Sequence, residues 1–581
     1  MLQQGISGVT NGGTYRLTFL GGSKSGQGAA YGYVSLYDGL AGYYNSASFD
    51  YRPTDAVFGS YTVDFTARGS TDLWLRSDAG TYMAYDNVSV TQIGSVANAL
   101  SYSAAGGFTE ITSALSGSGK VTANAGTGGL TLKGANTYSG GTEVTGGTLF
   151  VIGSGTLGDA SGAVTVNGSG SGSTYVTLDL RSQQTRTGAI SMTNQDARII
   201  SGNGLGSIVN NGGAFQFGGG SLEVAVSGSG GMNITGGGRM TALNSYTGAT
   251  VISATAGWYG TGQFFTESAH ALGAASGDLT VSGGTLNLFS NTITRSGNLT
   301  ISGGTVANGT LSNSGTAYDI QGGSIAAVLA GTAGLTKSGA GTATLSGSNT
   351  YSGATVVSTG TLQVASAGSI SSSSATVNHG GVLDVEGTAG SVTVNSGGRI
   401  EGDGSVGALT IASGGILAPG NSPGTLNASS ANWNAGGIYD WDLASALGND
   451  SSFLTGQGTN WDFLNVSGIL DIGAAAGGNE FIINIVDLLA TYNGTFDTAA
   501  NYQFAIATAA GGITNFLSSD FSFTGYLANS NQWSVGLAGN GGTSQSLILS
   551  YTGATAIPEP STGILFLSAL GVLALRRRSK A

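Results

Sequence analysis

A stretch that occurs three times along this 581-residue chain constrains its fold more than any other feature. Residues 129–151 read GLTLKGANTYSGGTEVTGGTLFV. Residues 334–364 have nearly the same sequence, and residues 232–252 contain a less similar copy. In each copy, short runs of alternating apolar and polar residues are separated by glycine and asparagine, which is the pattern of β-strands joined by turns. Because self-similarity of this kind marks repeat architectures, the chain is expected to form a repetitive β-structure.

The composition favours an ordered all-β protein. Apolar residues make up 40% of the chain, charged residues only 8%, and 105 positions are glycine, which costs about 1 kcal/mol per position in a helix. Simple disorder is disfavoured because the glycines punctuate alternating apolar residues and threonine. A net charge of -12 disfavours nucleic acid as a partner. The absence of cysteine excludes disulfides and thiolate metal sites and fits a bacterial envelope protein.

The spacing of the copies indicates the architecture. The motif tyrosines Tyr138, Tyr246 and Tyr351 are 108 and 105 residues apart, which is too long for one coil. Between these tyrosines, short sequences such as Gly-Thr-Leu recur roughly every 20 residues. This recurrence is typical of a parallel β-solenoid, whose turns stack about 4.8 Å apart. We expect on the order of 15 turns between residues 93 and 426.

An asparagine precedes each motif tyrosine by two residues, at Asn136, Asn244 and Asn349. A ladder of stacked asparagines needs the same residue in neighbouring turns, whereas these lie about five turns apart. Each is therefore expected to be a local turn cap beside an aromatic ring that closes the corner.

The first 92 residues are the most aromatic part of the chain and are predicted to form a separate domain. Short strands separated by turns indicate a β-sandwich, and they are expected at residues 14–20, 30–36, 61–67, 72–76 and 83–91. Within this segment, LQQGISGV at 2–9, GTYRLTF at 13–19 and YDNVSV at 85–90 resemble jelly-roll domains of the carbohydrate-binding, galactose-binding-like type. Since the opening strands of such a domain and an apolar export segment are missing after Met1, we expect a truncated gene model or a fragment.

The jelly-roll resemblance implies sugar binding through flat aromatic rings, which cover the apolar face of a pyranose. The candidates are Tyr43, Tyr44, Trp74 and Tyr82. The alternative is that these rings pack the sandwich core or cover its surface. No cofactor is expected, apart from a structural calcium ion, which a jelly-roll domain can hold.

The central segment resembles a known repeat family. Residues 335–353, LTKSGAGTATLSGSNTYSG, are similar to the autotransporter-associated β-strand repeat of passenger domains and large bacterial surface proteins. Residues 404–426, GSVGALTIASGGILAPGNSPGTL, resemble the sequence at the end of many such passenger domains. The resemblance implies a right-handed parallel β-helix over residues 93–426 that is displayed outside the cell, and it implies no activity.

Residues 427–556 are predicted to form a β-rich capping domain. The composition shifts here towards Trp, Phe, Asp and Asn, as in YDWDL at 439–443 and NWDFLNV at 460–466. Because a solenoid exposes unpaired strand edges at its ends, a cap is needed to block edge-to-edge addition.

Residues 557–581 are predicted to be a sorting address. The word IPEPST at 557–562 precedes an apolar run at 564–575 and three arginines at 576–578. A helix of the apolar run would be about 18 Å long against a hydrocarbon core of about 30 Å, which is short for a permanent span. The alternative is an ordinary tail anchor whose basic end stays in the cytoplasm.

This order of three parts resembles the PEP-CTERM sorting signal, and the resemblance implies recognition by a membrane-embedded exosortase-type protease. The expected recognition element is Pro558, Glu559 and Pro560, and the expected retention signal is Arg576, Arg577 and Arg578. The expected transmembrane helix contains Ile564, Leu565, Phe566, Leu567, Leu570, Val572, Leu573 and Leu575. The resemblance implies a place in the cell envelope or on the extracellular surface of a Gram-negative-type bacterium, with transient or permanent anchoring in the inner membrane.

Enzymatic activity is disfavoured, although some β-helices act on polysaccharides. Such sites need clustered carboxylates with basic partners or calcium, and the nearest constellations are Asp384 with Glu386 and Glu401 with Asp403. A weak calcium site or plain solvated surface is the expected explanation for both pairs. His270 and His379 are isolated in the sequence.

Three functions from different classes follow from the sequence. The first is a non-catalytic, rod-like surface or extracellular-matrix protein that is sorted through its tail. The second is an adhesin that binds extracellular polysaccharide through residues 1–92. The third is a β-helix enzyme acting on polysaccharides.

Overall fold

The computed structural model describes the backbone of eight strands between residues 2 and 103, and residues 107–553 except 169–173, 257–262, 447–455, 474–478, 493, 495, 529–530 and 540–541. Side chains are described from Tyr102 onwards, apart from residues 254–256. Strands make up 52% of the chain and helix is almost absent, so the all-β fold class is confirmed. The chain divides into two compact units, Met1–Ser374 and Ala375–Ala581.

The N-terminal strands are β1 (Leu2–Ile6), β2 (Thr14–Ser23), β3 (Gly32–Tyr37), β4 (Phe49–Tyr51), β5 (Gly59–Thr66), β6 (Thr71–Ser77) and β7 (Tyr82–Gln92). The other strands of the first unit are β8 (Leu100–Ser103), β9 (Phe108–Ile111), β10 (Val121–Leu132), β11 (Thr142–Val151), β12 (Val164–Asn167), β13 (Val176–Leu180), β14 (Gln183–Arg186), β15 (Ile190–Thr193), β16 (Ala197–Ile200), β17 (Ser207–Asn210), β18 (Phe215–Gly218), β19 (Gly220–Leu222), β20 (Ala225–Ser227), β21 (Met232–Gly236), β22 (Gly238–Met240), β23 (Thr250–Ala256), β24 (Gln263–Thr266), β25 (Leu279–Gly283), β26 (Thr285–Asn287), β27 (Thr292–Arg295), β28 (Leu299–Ile301), β29 (Thr305–Ala307), β30 (Thr310–Asn313), β31 (Tyr318–Ile320), β32 (Gly323–Ile325), β33 (Val328–Ala330), β34 (Leu335–Lys337), β35 (Thr342–Leu345), β36 (Thr355–Val357), β37 (Gly360–Val364) and β38 (Ser369–Ile370).

The second unit contains β39 (Ala375–Val377), β40 (Gly381–Val385), β41 (Thr388–Ala389), β42 (Val392–Val394), β43 (Arg399–Gly402), β44 (Ser405–Ile411), β45 (Ile416–Pro419), β46 (Thr425–Trp433), β47 (Ile438–Leu443), β48 (Phe463–Val466), β49 (Leu470–Ile472), β50 (Phe481–Asp487), the short helix α1 (Leu489–Tyr492), β51 (Tyr502–Ala509), β52 (Ile513–Thr514), a 3₁₀ turn (Ser518–Asp520), β53 (Phe521–Gly525), β54 (Trp533–Gly539) and β55 (Gln545–Tyr551).

The N-terminal strands pair in antiparallel fashion. β2 lies between β5 and β7, β3 lies between β4 and β6, and β1 also pairs with β6. All five strands expected here are present, with ends shifted by at most three residues. The pairing is compatible with two layers, while the jelly-roll sandwich itself stays a prediction.

Both antiparallel groups run directly into the first turn of the solenoid. β1 pairs antiparallel with β8, and β7 pairs parallel with β9. The N-terminal strands therefore cover the first open edge of the solenoid, where the sequence had suggested a cap only at the far end.

The rest of the first unit is a parallel β-solenoid, as predicted. Ladder A runs through β9, β10, β11, β13, β16, β19, β22, β24, β26, β29, β32, β35 and β37, each hydrogen-bonded to the next. Ladder B runs through β8, β10, β11, β12, β15, β18, β21, β23, β25, β28, β31, β34 and β36. Short sheets of β14, β17 and β20 and of β27, β30 and β33 form a third side. The two units together contain about 15 turns between residues 102 and 439.

Alternation decides which side chains enter the core. In a parallel ladder, successive residues point to opposite sides, so every second position of each strand faces the interior. On ladder A the inward residues of consecutive turns lie in register and are fully buried: Leu130, Leu149, Leu178, Ile199, Leu222 and Met240. Each such side chain contributes about 2 kcal/mol by leaving water.

Parallel pairing also organises the second unit. One ladder contains β40, β43, β45, β47, β50 and β53, and another contains β39, β42, β44, β46, β49 and β52. Parallel stacking therefore continues past residue 426 to Gly525, and then β55 pairs antiparallel with both β51 and β54. The border at residue 426 and the capping role of 427–556 stay predictions.

Aromatic residues fill the interior of the second unit beyond residue 426. Trp433 stacks on Phe481 with ring centroids 4.6 Å apart, and Trp441 packs against Phe504 at 5.1 Å. Both tryptophans are fully buried. The shift in composition thus reflects larger side chains in the core of this part of the chain.

Within the described residues, no helix combines the length and the apolarity that crossing a membrane requires. The predicted transmembrane residues lie in 554–581, outside the described residues.

Candidate functional site

The residues predicted to bind partners have no described side chains. The sorting tail, with Pro558 to Pro560 and Arg576 to Arg578, lies outside the described residues, as do Tyr43 and Tyr44. Trp74 and Tyr82 belong to β6 and β7, of which the backbone is described. All of these assignments stay predictions.

The repeated motif builds one corner of the solenoid three times. Each motif tyrosine shares a hydrogen bond with the threonine four residues later, and the O–O distances are 2.6 Å for Tyr138 and Thr142, 2.8 Å for Tyr246 and Thr250, and 2.7 Å for Tyr351 and Thr355. The three rings are at most 2% exposed. Burial raises the pKa of Tyr246 and of Tyr351 to about 12. These tyrosine hydroxyls are therefore neutral structural groups, and each forms its hydrogen bond with the threonine of the same motif copy inside the corner.

The motif asparagines join neighbouring turns. Oδ1 of Asn136 accepts a hydrogen bond from the backbone N–H of Leu115 at 2.7 Å, and its Nδ2 donates to the carbonyl of Thr156 at 2.7 Å. These partners lie about one turn before and one turn after the asparagine, so the predicted local turn cap is wrong. The same bridge is formed by Asn244 between Val226 and Ala271, and by Asn349 between Leu329 and Ser369. Asn349 also donates locally to the carbonyl of Gly347 at 2.9 Å, so for this residue the prediction holds in part.

Two arginines lie inside the same corner. Arg186 is 2% exposed, and its guanidinium donates to the carbonyls of Leu157 at 3.2 Å, Gly158 at 3.3 Å, and Gly162. Arg295 is 1% exposed and donates to the carbonyls of Leu272 at 2.9 Å and of Gly277. Burial lowers the pKa of both guanidinium groups, yet arginine stays charged in proteins. Each cation replaces its lost hydration with carbonyl dipoles of the preceding turn.

The corner repeats as a module of five turns. Backbone hydrogen bonds link the turn of Tyr138 through loop 157–162, Arg186, Asn210 and Gly228 to Tyr246. The next module follows the same order, from Tyr246 through loop 272–277, Arg295, Asn313 and Gly331 to Tyr351. Asn210 and Asn313 are both buried. The spacing of 108 and 105 residues is thus the length of one module, which confirms that the motif marks segments of the solenoid.

Gly158 is a position in this corner where a side chain would conflict directly with the motif tyrosine. Its φ is +77°, and a Cβ would lie 2.4 Å from the carbonyl oxygen of Tyr138 and 2.6 Å from its ring. Gly158→Ala is expected to lower the free energy of unfolding by about 2 kcal/mol more than Gly153→Ala does. Gly153 is a suitable control because its φ is +65° but no atom lies within 4 Å of the added Cβ. Urea unfolding followed by far-UV circular dichroism measures the free energy of unfolding of both variants. If both lose the same free energy of unfolding, the contact with Tyr138 does not contribute to stability.

The carboxylates considered for catalysis have structural partners. Asp384 lies beside Glu401 in neighbouring strands and is only 8% exposed, so the expectation of plain solvated surface is wrong for it. Arg399 forms ion pairs with Glu401, at 2.8 Å from its Nε to Oε2, and with Asp440. In the described part of the chain, no three His, Cys, Asp or Glu residues are placed to hold a metal ion.

A second structured site surrounds the loop at residues 420–425. Glu386 accepts a hydrogen bond from Nδ2 of Asn421 at 2.7 Å, and Asp403 accepts one from the backbone N–H of Thr425 at 2.7 Å. These two carboxylates, each a former catalytic candidate, hold the two ends of the loop.

Two further carboxyl groups hold the middle of this loop. Asp442 accepts a hydrogen bond from the hydroxyl of Ser422, and Oδ1 of Asp462 accepts one from the N–H of Gly424 at 2.9 Å. Oδ2 of Asp462 accepts from the N–H of Asp442 at 3.1 Å. Burial, reinforced by the charge of Asp442, raises the pKa of Asp462 from 3.8 to about 9. Asp462 is therefore protonated at neutral pH, and the loop is fastened to a neutral carboxyl group.

The sequence contained a signal for the buried arginines but none for Asp462. Arg186 follows Tyr138 by 48 residues and Arg295 follows Tyr246 by 49, a regularity that could have placed both in the motif. Asp462 stands in a run of aromatic residues outside the three copies of the motif, where the sequence does not distinguish it from Asp442.

Comparison with known proteins agrees with this architecture. The passenger-associated-transport-repeat model matches residues 125–151 and 335–364, and the PEP-CTERM protein-sorting motif matches residues 556–580. The chain thus carries passenger-type repeats and a PEP-CTERM sorting motif. It is also 32% identical over 249 residues to the adhesin BmaC autotransporter of Brucella suis biovar 1 (strain 1330). The match covers 40% of this chain and 7% of the adhesin.

The repeat match and the structure differ in extent. The two matched segments contain Tyr138 and Tyr351, whereas Tyr246 lies outside them although its corner has the same hydrogen bonds. The sorting motif and the similarity to an adhesin support an exported protein of the cell envelope, and the described residues form a β-solenoid.

Proposed function

We propose that this protein is a non-catalytic, rod-like structural and adhesive element of the bacterial surface or extracellular matrix. The observation that carries the proposal is the presence, on one chain, of a sorting motif at residues 556–580 and a parallel β-solenoid with passenger-type repeats. A stacked solenoid gives length and stiffness without a catalytic centre, because each turn contacts only its neighbours.

The outward side of ladder B supports a structural role. From β12 to β34, seven of the nine residues in its register column are uncharged and hydrogen-bond well to water, namely Thr165, Ser191, Gln216, Asn233, Thr280, Thr300 and Thr336. The other two are Val251 and Asp319. Such a surface suits a hydrated matrix, and it lacks the clustered acids and bases that hydrolysis of a polysaccharide needs.

The tail is proposed to be the substrate of an exosortase-type protease. In this proposal, Pro558, Glu559 and Pro560 are recognised, the apolar run spans the inner membrane transiently, and Arg576 to Arg578 stay in the cytoplasm. The sorting-motif match supports the kind of partner, and the membrane span and its cleavage are parts of the proposal.

Replacing Glu559 by alanine tests the sorting function. In a host that has an exosortase, the Glu559→Ala variant is expected to keep its full mass and not to reach the cell surface, because the recognised sequence Pro558-Glu559-Pro560 has lost its carboxylate. Intact mass and the accessibility of whole cells to an antibody measure the two effects. Ser561→Ala, two residues further on, is the matched control and is expected to behave like the parent. Normal processing of Glu559→Ala would refute the sorting proposal.

The second candidate is a carbohydrate-binding adhesin that acts through the N-terminal domain. The antiparallel pairing among the seven strands from β1 through β7 supports this candidate, since a β-sandwich requires such pairing. Trp74→Ala combined with Tyr82→Ala should then abolish retention on polysaccharide, whereas unchanged retention would exclude these two rings.

A further inference from the structure

The outward side of ladder A carries aromatic rings that are exposed to solvent. We define the aromatic face as the surface of this ladder from β9 to β26 that contains Phe108, Phe150, Tyr175, Phe265 and Phe289. Phe108 is 39% exposed, Tyr175 55% and Phe289 54%. The rings form two groups, one at β9 to β13 with Phe108, Phe150 and Tyr175 and one at β24 to β26 with Phe265 and Phe289. Between the groups, the register column that Phe108 shares with Phe265 continues through Arg198, Ser221 and Arg239. This surface differs from the polar surface of ladder B, and exposed aromatic clusters mark interaction sites.

The rings of this face are held in position by their neighbours. Gly129 leaves room between two phenylalanines, since a Cβ there would lie 2.7 Å from the ring of Phe150 and 2.9 Å from that of Phe108. The guanidinium of Arg181 lies over the ring of Phe150 at 5.2 Å, and that of Arg198 lies over Tyr175 at 4.7 Å. Cation–π contacts of this kind restrict the rings without covering both sides. The face is therefore organised before a ligand arrives.

Phe289 adds an independent sign of a binding site. Its φ is +50°, a conformation that a bulky residue adopts at a cost. The result of this strain is a ring that is half exposed and meets Phe265 edge to face at 6.3 Å. Strained residues of this kind persist where the surrounding structure over-determines them, and they cluster at ligand contacts.

The charges on the face cancel one another. Arg181 pairs with Asp179 at 3.0 Å, Arg198 with Glu223 at 2.9 Å, Arg239 with Glu223 at 3.4 Å and with Glu267 at 3.9 Å, and Lys133 with Glu110 at 2.6 Å. Four cations thus face four carboxylates, while the whole chain has a net charge of -12. A locally neutral surface selects neither a polyanion nor a polycation.

The geometry points to an extended neutral polysaccharide as the ligand, and we propose that the aromatic face binds one along the stacked turns. The spacing of about 4.8 Å between turns presents the hydrogen-bonding groups of Arg198, Ser221 and Arg239 at regular intervals between the two groups of rings, as a linear polymer of sugar rings requires. Flat rings cover the apolar face of a pyranose, and the paired guanidinium and carboxylate groups supply donors and acceptors for its hydroxyls. This inference rests on the proposed surface or matrix function, and it places glycan binding on the solenoid as well as, or instead of, the N-terminal domain.

Affinity electrophoresis of the full chain tests the proposal. The gels contain hydroxyethylcellulose or dextran as neutral polysaccharides, or alginate as a polyanion. The parent is expected to be retarded by a neutral polymer more than by alginate. The double variant Tyr175→Ala/Phe289→Ala is expected to bind about tenfold more weakly, because exposed aromatic anchors dominate such contacts. Tyr175→Phe keeps the ring and should bind like the parent.

A matched control separates the face from general loss of apolar surface. Leu205 and Leu243 are 74% and 68% exposed and lie in loops outside ladder A, so Leu205→Ala/Leu243→Ala should leave binding unchanged. Circular dichroism verifies that both double variants are folded. No retardation of the parent by either neutral polymer, stronger retardation by alginate, or equal binding by the aromatic double variant would each overturn the inference. Surface exposure in the Glu559→Ala experiment is measured separately, so the proposed function and this inference can fail independently.

Discussion

Replacing Arg186 by alanine is expected to lower the free energy of unfolding by about 4 kcal/mol. The substitution removes the guanidinium donor from the buried carbonyl oxygens of Leu157, Gly158 and Gly162. The carbonyl of Leu157 keeps a hydrogen bond from the hydroxyl of Thr142 at 3.2 Å, and each acceptor left without a partner costs about 1 to 3 kcal/mol. Part of this cost is offset because a buried cation no longer has to be desolvated. Lys120→Ala, which removes an exposed cation paired with Glu143, is expected to cost below about 1 kcal/mol.

The two modules provide an internal control for this prediction. Because each turn of a solenoid is stabilised mainly by its neighbours, Arg186→Ala should speed amide hydrogen exchange in loop 157–162 and leave the equivalent loop 272–277 protected. Arg295→Ala should produce the reverse pattern. If either variant loosened both loops equally, the arginines would act on global stability and the local role assigned to the corner would be wrong.

The stability of this protein is expected to fall as the pH rises from about 5 to about 8, and Asp462 is the cause. Its pKa is about 9 in the folded chain against 3.8 ordinarily. Between these values the folded state binds one proton more than the unfolded state. The stabilisation is therefore complete below pH 3.8 and is lost as the pH approaches 9. One such proton lowers the free energy of unfolding by about 1.4 kcal/mol per pH unit.

Urea unfolding at several pH values, followed by tryptophan fluorescence, measures this slope. Asp462→Asn is expected to make the slope shallower, because the amide does not titrate, while Asp442, whose pKa burial also raises, still contributes. The variant also loses the acceptor for the N–H of Asp442, a cost that is independent of pH, so the slopes are compared and not the absolute stabilities. Asp497→Asn removes an exposed carboxyl group in the same unit and is the control. A parent whose stability does not change over this range would contradict the assignment of a neutral Asp462.

Periodicity in the sequence was sufficient for the general architecture, while side-chain partners were not predictable from it. Alternating apolar residues and recurrent glycines imply stacked parallel strands because a pleated strand can bury only every second side chain. The asparagines illustrate the limit. Asn136 is of a residue type that commonly caps a local turn. Its two partners, Leu115 and Thr156, are about 20 residues away on either side and become neighbours only when turns stack.

The catalytic candidates show the same limit. Spacing placed Asp384 with Glu386 and Glu401 with Asp403 as possible acid pairs. In the fold, strand register brings Asp384 beside Glu401 instead, and Arg399 spans from Glu401 to Asp440 across the intervening β45. Which charges meet depends on which residues of successive turns share a register position, and that is not written in local sequence.

By itself, the sequence determined an all-β repetitive chain, the positions of the three motif copies and the three-part tail, because turn residues, alternation and short linear signals act locally. Only the tertiary structure decided that the first two motif copies each open a five-turn module with a buried arginine, that Asp462 is a neutral carboxyl group, and that two groups of aromatic rings lie on the outward side of ladder A. Each of these depends on residues from different turns that stacking brings within a few ångströms, where burial and hydrogen bonding change their chemistry.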